Sequence, residues 1–218
     1  MLAMKLVVNQ QAPTTGADGG ASCCDELAPL VDRANQGDRA ALESVLGAVA
    51  PAMLRMVRAV LGPAHPDVPD ITQESLMALP GALTTFRKES SVKQYARQVA
   101  LRIALSARRR RKVREKLFQG WQNLQQEKAE MTGPHAYHTL LVERRAALLR
   151  DLLDELPEEQ AHSFAMRVLL DYTLPQVAAA TDATLNTVRS RVRLAKEKLR
   201  ERLEADPALI DLLREGDS

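Results

Sequence analysis

The 218-residue sequence predicts an all-α protein made of two small helical domains joined by a linker. Three observations lead there. The chain is 45% hydrophobic but only 3% aromatic, so Ala, Leu and Val must build the cores, and these favour helix packing over sheets. Apolar residues recur at three- and four-residue steps, without strand-like alternation or a repeat period. Residues 131–139 (MTGPHAYHT), with Gly133-Pro134, break that helical pattern, as a connection between domains would.

Taken in order, residues 1–24 form a lead-in whose latter part (NQQAPTTGADGGASCC) has no period and reads as disordered. Asp38 is placed to cap a long helix through about Leu61, in which Leu42, Val45, Leu46, Val49, Met53, Met56, Val57 and Val60 form the core stripe and Gly62-Pro63 ends it. The stretch PDVPD (66–70) offers caps for a third helix with Ile71, Leu76, Leu79 and Leu83 apolar, which Pro80-Gly81 should kink or end. A fourth helix starts near Ser90 or Ser91 and runs toward Gln126, with Val92, Tyr95, Val99, Ile103 and Leu117 among its apolar positions. The first domain is thus expected over 25–114 and the linker over 115–139. The second domain, 140–205, reads as helices over Leu140–Glu155, Pro157–Asp171, Leu174–Thr181 and Leu185 to about Leu203, followed by a tail, 206–218. Pro157 and Pro175 are each expected in a first helical turn.

A formal net charge of +2 conceals clustering: from Arg97 to Lys116 nine cations face the single anion Glu115. Cys23 and Cys24 are adjacent, a poor geometry for a stabilising disulfide and too few ligands for zinc, so a reduced, cytoplasmic setting is expected. Nothing near them would lower a thiol pKa. The start of the chain lacks a long apolar core, and the apolar run Val45–Leu54 stops at Arg55, so neither a signal peptide nor a membrane span is indicated. His65, His135, His138 and His162 are scattered without ligand spacing, and no nucleotide loop, zinc motif or nucleophile elbow is present. No metal, cofactor or catalytic residue is expected, and the chain does not read as an enzyme.

The most informative segment is TLPQVAAATDATLNTVRSRVRLAKEKLRERL. Thr173 can cap a short helix with Val177 and Ala178 inward, the small residues Ala178–Ala180 permit close approach, and Thr181-Asp182-Ala183 makes a turn. The next helix puts Leu185, Val188, Val192 and Leu199 on one side and polar or basic residues on the others. In a helix-turn-helix the second helix enters the major groove N-terminus first, so Asn186, Thr187, Arg189 and Ser190 are candidates for base or phosphate contact. Arg191, Arg193 and Lys196 are candidates for phosphates. The plainer alternative is a solvated basic face on a helical hairpin.

These residues resemble region 4 of the extracytoplasmic-function sigma factors of bacterial RNA polymerase, through Leu156-Pro157, Thr187-Val188-Arg189-Ser190-Arg191 and the following RLAKEKLRERL. The resemblance spans about Leu148 to Leu203 and implies reading of a promoter −35 element. The first domain is similar to sigma region 2: QGDRAALESVL looks like its opening helix, and DITQESL with Phe86-Arg87 looks like the helix that docks on the polymerase β′ clamp. Asp70, Gln73, Glu74 and Leu76 would then contact the core enzyme. FRKESSVKQYARQVALRIALSARRRRK looks like the part that captures the −10 element, which implies Lys88, Lys93, Tyr95, Arg97 and Arg102 at the single strand, and Arg108, Arg109, Arg110 and Arg111 at phosphates. Tyr95 stands where that family usually has Trp, and Pro80 occupies another position that is often aromatic. The partners implied are RNA polymerase core (β′ clamp and β flap), promoter DNA and an anti-sigma protein. A helix-turn-helix regulator that binds duplex DNA alone is the alternative, though it leaves the helix around Asp70 to Leu76 without a role.

Overall fold

The computed structural model describes residues 25–118 and 146–205. The lead-in with Cys23 and Cys24, the break with His135 and His138, and the tail 206–218 lie outside the described residues. Among those described, every regular element is a helix: α1 (Ala28–Asn35), α2 (Arg39–Leu61), α3 (Val68–Leu83), α4 (Val92–Phe118), α5 (the described stretch 146–155), α6 (Glu158–Leu169), α7 (Leu174–Thr181) and α8 (Leu185–Ala205). The packing divides the described chain after Ala107, so that Arg108 onward belongs with the second compact unit.

In the first unit α2 is the central helix. Asp38 caps it, its carboxylate accepting from the Ala41 N–H at 3.0 Å, and Gly62 closes it with φ 109°, a conformation that disfavours side chains. The Ala41 N–H and the Arg33 guanidinium both favour the charged form of Asp38 and hold its carboxyl below the usual carboxylate range. Val45, Val49, Met53, Val57 and Val60 are fully buried along the face that α1 and α3 cover. Arg39–Leu61 is long and apolar enough to cross a membrane, yet this packed stripe and the exposed Arg55 and Arg58 are those of a core helix.

The third helix does not end at Pro80-Gly81 but continues to Leu83. Pro80 has no N–H for the Leu76 carbonyl, at a cost of about 3 kcal/mol. Leu79 and Leu83 flank it and are fully buried, each contributing about 1.5–3 kcal/mol, so burial holds the last turn in place. The start of α4 is fixed by two caps, the Val92 N–H donating to the Asp25 carboxylate and the Gln94 N–H to the Ser91 hydroxyl.

In the second unit Phe164, Ala165 and Met166 of α6 sit at the centre with Leu152 of α5 and Val177, Val188 and Ala195 of α7 and α8. Pro157 is the N-cap of α6 rather than a residue of its first turn, whereas Pro175 does lie in the first turn of α7. Glu158 and Glu159 open α6 and suit the positive end of its dipole.

Candidate nucleic-acid interface

The helix-turn-helix is built by local chemistry. Thr173 and Gln176 form a reciprocal capping box at the start of α7: the Thr173 N–H donates to Gln176 Oε1 at 2.7 Å and the Gln176 N–H to Thr173 Oγ1 at 3.4 Å. Asp182 ends the helix in the left-handed region (φ 49°), which Asp tolerates better than most residues, and the Ala183 N–H returns to the Ala178 carbonyl. The chain then turns into α8, where Thr184 accepts from the Thr187 N–H at 3.2 Å. Val177, Val188, Val192 and Ala195 are buried and lock α7, α8 and α6 together; Ala195 is a core position not foreseen from the sequence.

With that face inward, Asn186, Thr187, Arg189 and Ser190 are exposed on the first turns of α8. Asn186 Oδ1 accepts from Arg189 Nη1 at 3.2 Å, which steers the guanidinium toward the helix start. Arg193 and Lys196 are exposed too, and Arg193 engages Glu197 at 2.6 Å. Arg191 does not share this surface. Its side chain is only 21% exposed and pairs with Glu159 of α6 at 2.8 Å, so it ties α8 to its neighbour. Farther along α8, Arg202 does the same with Glu155 at 2.9 Å.

The basic block at the end of α4 meets a comparable fate. Arg108, 17% exposed, makes a two-pronged contact with Asp154 at 2.6 and 2.7 Å, while Arg109 pairs with Glu158 at 2.6 Å. Lys112 donates to the Asp154 carbonyl at 2.8 Å. Arg110 and Arg111 are exposed. The acids DLLDELPEE (151–159) thus receive cations from α4 and from α8, a pairing that sequence reading missed; its only signal was the density of acids in that run.

Tyr95 and Lys88 serve the first unit. The Tyr95 ring packs on Phe86 with centroids 4.9 Å apart, and its hydroxyl donates to the Ala82 carbonyl at 3.0 Å, bracing the turn between α3 and α4. Lys88, at φ 58°, reaches Asp32 at 2.8 Å. Lys93 and Arg102 are exposed on α4, and Arg97 is half-buried. On α3, Asp70, Gln73 and Glu74 are exposed and Leu76 half-buried. Met77, 73% exposed, stands on the same helix and was not singled out from the sequence, where Leu76, Ala78 and Leu79 around it give no sign of its exposure.

Among the described residues no group of His, Cys, Asp or Glu is arranged to hold a metal ion. What the second unit does offer is a protruding helix end with an amide, hydroxyls and a guanidinium, the donor and acceptor set that reads base edges.

Comparison with known proteins matches residues 146–199 to the family model for sigma-70 region 4. The ECF RNA polymerase sigma-E factor of Haemophilus influenzae is 26% identical over 190 residues, covering 80% of this chain and 94% of that one. Those of Salmonella typhimurium and Escherichia coli are 25% and 24% identical over 185 residues, each covering 80% of this chain and 93% of the relative. A solved structure of CnrH in complex with the cytosolic domain of CnrY is similar in fold, with a TM-score of 0.50 at 18% identity, covering 82% of this chain and 97% of that one.

Proposed function

Because this chain belongs to the extracytoplasmic-function sigma factors of bacterial RNA polymerase, we propose that its second unit reads the −35 element while its first docks on the core enzyme and engages the −10 region. The observation that carries this reading is the exposed start of α8, held out by a capped α7 and a buried seam, inside the stretch that matches sigma-70 region 4. Asn186, Arg189 and Ser190 are assigned to base edges, with Thr187, Arg193 and Lys196 at adjoining bases or phosphates. Arg191 is assigned to holding α8 against α6.

The exposed face of α3, with Asp70, Gln73, Glu74 and the edge of Leu76, is assigned to the β′ clamp, and the second unit to the β flap. Lys93, Arg97 and Arg102 are the residues of α4 assigned to the −10 strand. The domain division we propose keeps region 2 in residues 25–114 and region 4 in 140–205, although the basic end of α4 from Arg108 packs with the second unit. The role is one of recognition and positioning, without bond chemistry by this chain, and it is exercised in the cytoplasm. An anti-sigma protein that covers these surfaces is the inhibitor expected for this family.

Reconstitution tests the reading: purified chain, bacterial RNA polymerase core and promoter fragments from the source genome, scored for specific initiation. Initiation that depends on the chain is expected. Duplex binding without core and without initiation would instead favour a free-standing regulator. The docking assignment is tested separately, since Asp70→Ala with Gln73→Ala should lower core affinity and leave duplex binding unchanged; undiminished core affinity would remove it.

A further inference from the structure

Three side chains at the start of the first unit reach the connection between α3 and α4. Asn35, the last residue of α1, donates from its amide nitrogen to the Leu83 carbonyl at the end of α3, at 3.2 Å. Asp32, three residues earlier on α1, accepts from the Lys88 ammonium at 2.8 Å, in the middle of the connection. Asp25, ahead of α1, accepts from the Val92 N–H at the start of α4 and from the Leu27 N–H at 3.2 Å. The partners lie 48, 56 and 67 residues apart in the chain, so only the folded unit brings them together. Resting on the −10 reading above, we propose that Asp25, Asp32 and Asn35 are positioning residues that preset the 84–91 connection for the −10 single strand.

Lys88 is where such a hold has most effect. Its backbone sits at φ 58°, in the left-handed region, where a residue with a Cβ is strained and glycine is not. Without ties the connection would relax from that conformation and shift Arg87 and Glu89, the exposed residues on either side. The Asp32 carboxylate offsets the strain by drawing the ammonium toward α1. An ion pair that is half-exposed on both sides, as this one is, contributes little alone. Here it acts on a span whose ends are already fixed: Asn35 ties one, Asp25 ties the other, and the Phe86 ring rests on Tyr95 with centroids 4.9 Å apart. Little entropy is left to lose in so short a closed span, so a weak bond at its middle is enough to select one conformation.

Two consequences favour a role in strand capture over one in packing alone. Both acids are satisfied within the protein, Asp32 by an ammonium and Asp25 by two N–H groups, so neither carboxylate opposes an approaching phosphate. Arg87 and Lys93 remain exposed and, among the described residues, make no ion pair, which leaves cations of the same stretch available. A strand that meets a preset connection also avoids the entropic cost of ordering it. The buried contact of α1 with the core is supplied separately, by Val31.

The test measures affinity of the full chain with polymerase core for a single strand carrying the −10 element of a promoter on which the chain initiates, and for a duplex carrying the −35 element alone. Asp32→Ala should weaken single-strand binding about 2- to 5-fold. Asp32→Ala with Asn35→Ala should weaken it about 5- to 20-fold, with the −35 duplex unchanged in both variants. Lys88→Gly should stay within about twofold of the parent, because glycine takes a positive φ without strain and needs no pair to hold it. In the Lys88→Gly background Asp32→Ala should then have no further effect. Equal losses from Asp32→Ala in both backgrounds would overturn the proposal, since they would trace to α1 itself and not to the Lys88 backbone. So would unchanged single-strand affinity in the Asp32 and Asn35 double variant. Lys93→Ala with Arg102→Ala is run in parallel: a loss there, with the Asp32 and Asn35 variants silent, sinks the positioning role alone, whereas silence in all of them removes the −10 reading as well.

Discussion

Arg108 at the end of α4 and Arg189 on α8 carry the same guanidinium into different surroundings. Arg108 is largely buried and gripped by both oxygens of Asp154, with Arg109 and Lys112 held alongside it by Glu158 and the Asp154 carbonyl. Arg189 stands exposed and, among the described residues, has only the neutral amide of Asn186 as a partner. A phosphate approaching Arg108 must displace a carboxylate that already satisfies it, whereas one approaching Arg189 displaces water and counterions. Density of positive charge along a chain is therefore a poor guide to how much of that charge is available; the supply of nearby acid decides it. Within α8 itself the same contrast separates Arg191 and Arg202, tied to Glu159 and Glu155, from Lys196 and Arg200, which are exposed and make no ion pair among the described residues.

The largest effect should come from the available side of this contrast. Arg189→Ala is expected to reduce the preference for promoter over scrambled duplex by about 1–3 kcal/mol, or roughly 5- to 150-fold, with little change in thermal stability. Arg191→Ala should do the opposite, lowering the stability of the second unit by about 1 kcal/mol and leaving the ratio of promoter to scrambled binding nearly intact. Equal loss of that ratio in both variants, without a stability change in the second, would erase the distinction between a reading and a holding arginine. A smaller effect is expected from the held block. Asp154→Asn should weaken the hold on Arg108, leaving it the Asp151 carboxylate at 4.0 Å, and raise affinity for scrambled duplex about 2- to 5-fold at low salt, the gain fading as salt rises. No gain at any salt would mean that Arg108 faces the protein whatever its partner.

What was legible in the sequence is local. Asp38 and Thr173 announce their caps because a short polar side chain one residue before an apolar stripe has few other uses, and both caps form. The helix-turn-helix was legible for the same reason, its turn being written in Asp182 and its faces in the spacing of Val188 and Val192. Pro80 does not end α3, because the local rule against proline competes with burial of Leu79 and Leu83, which only the packed unit supplies. Tyr95 was expected at a DNA strand, yet its hydroxyl and ring serve Ala82 and Phe86, partners that come near only once α3 and α4 fold. Arg191 and Arg108 belong to the same class: their acids lie 32 and 46 residues away in the chain, and no helical period points to them.

The smallest effect concerns an ion pair in the first unit, where Asp38 caps α2 and accepts from Arg33 at 2.6 Å. Its carboxyl is held below the ordinary range by the Ala41 N–H first and Arg33 second, so the folded chain binds the proton less readily than the unfolded chain. The stabilisation is accordingly complete above the unfolded carboxyl's pKa and is lost as pH falls through the lower folded value. Asp38→Ala should lower the melting temperature of the first unit near neutral pH, and the gap between variant and parent should close on acidification below about pH 4, the region of an unperturbed Asp. A gap that persists in acid would assign the loss to packing at the start of α2 rather than to the charge. Unlike Arg108, Arg33 remains largely exposed while paired, so the contrast between held and available cations is one of burial as well as of partners.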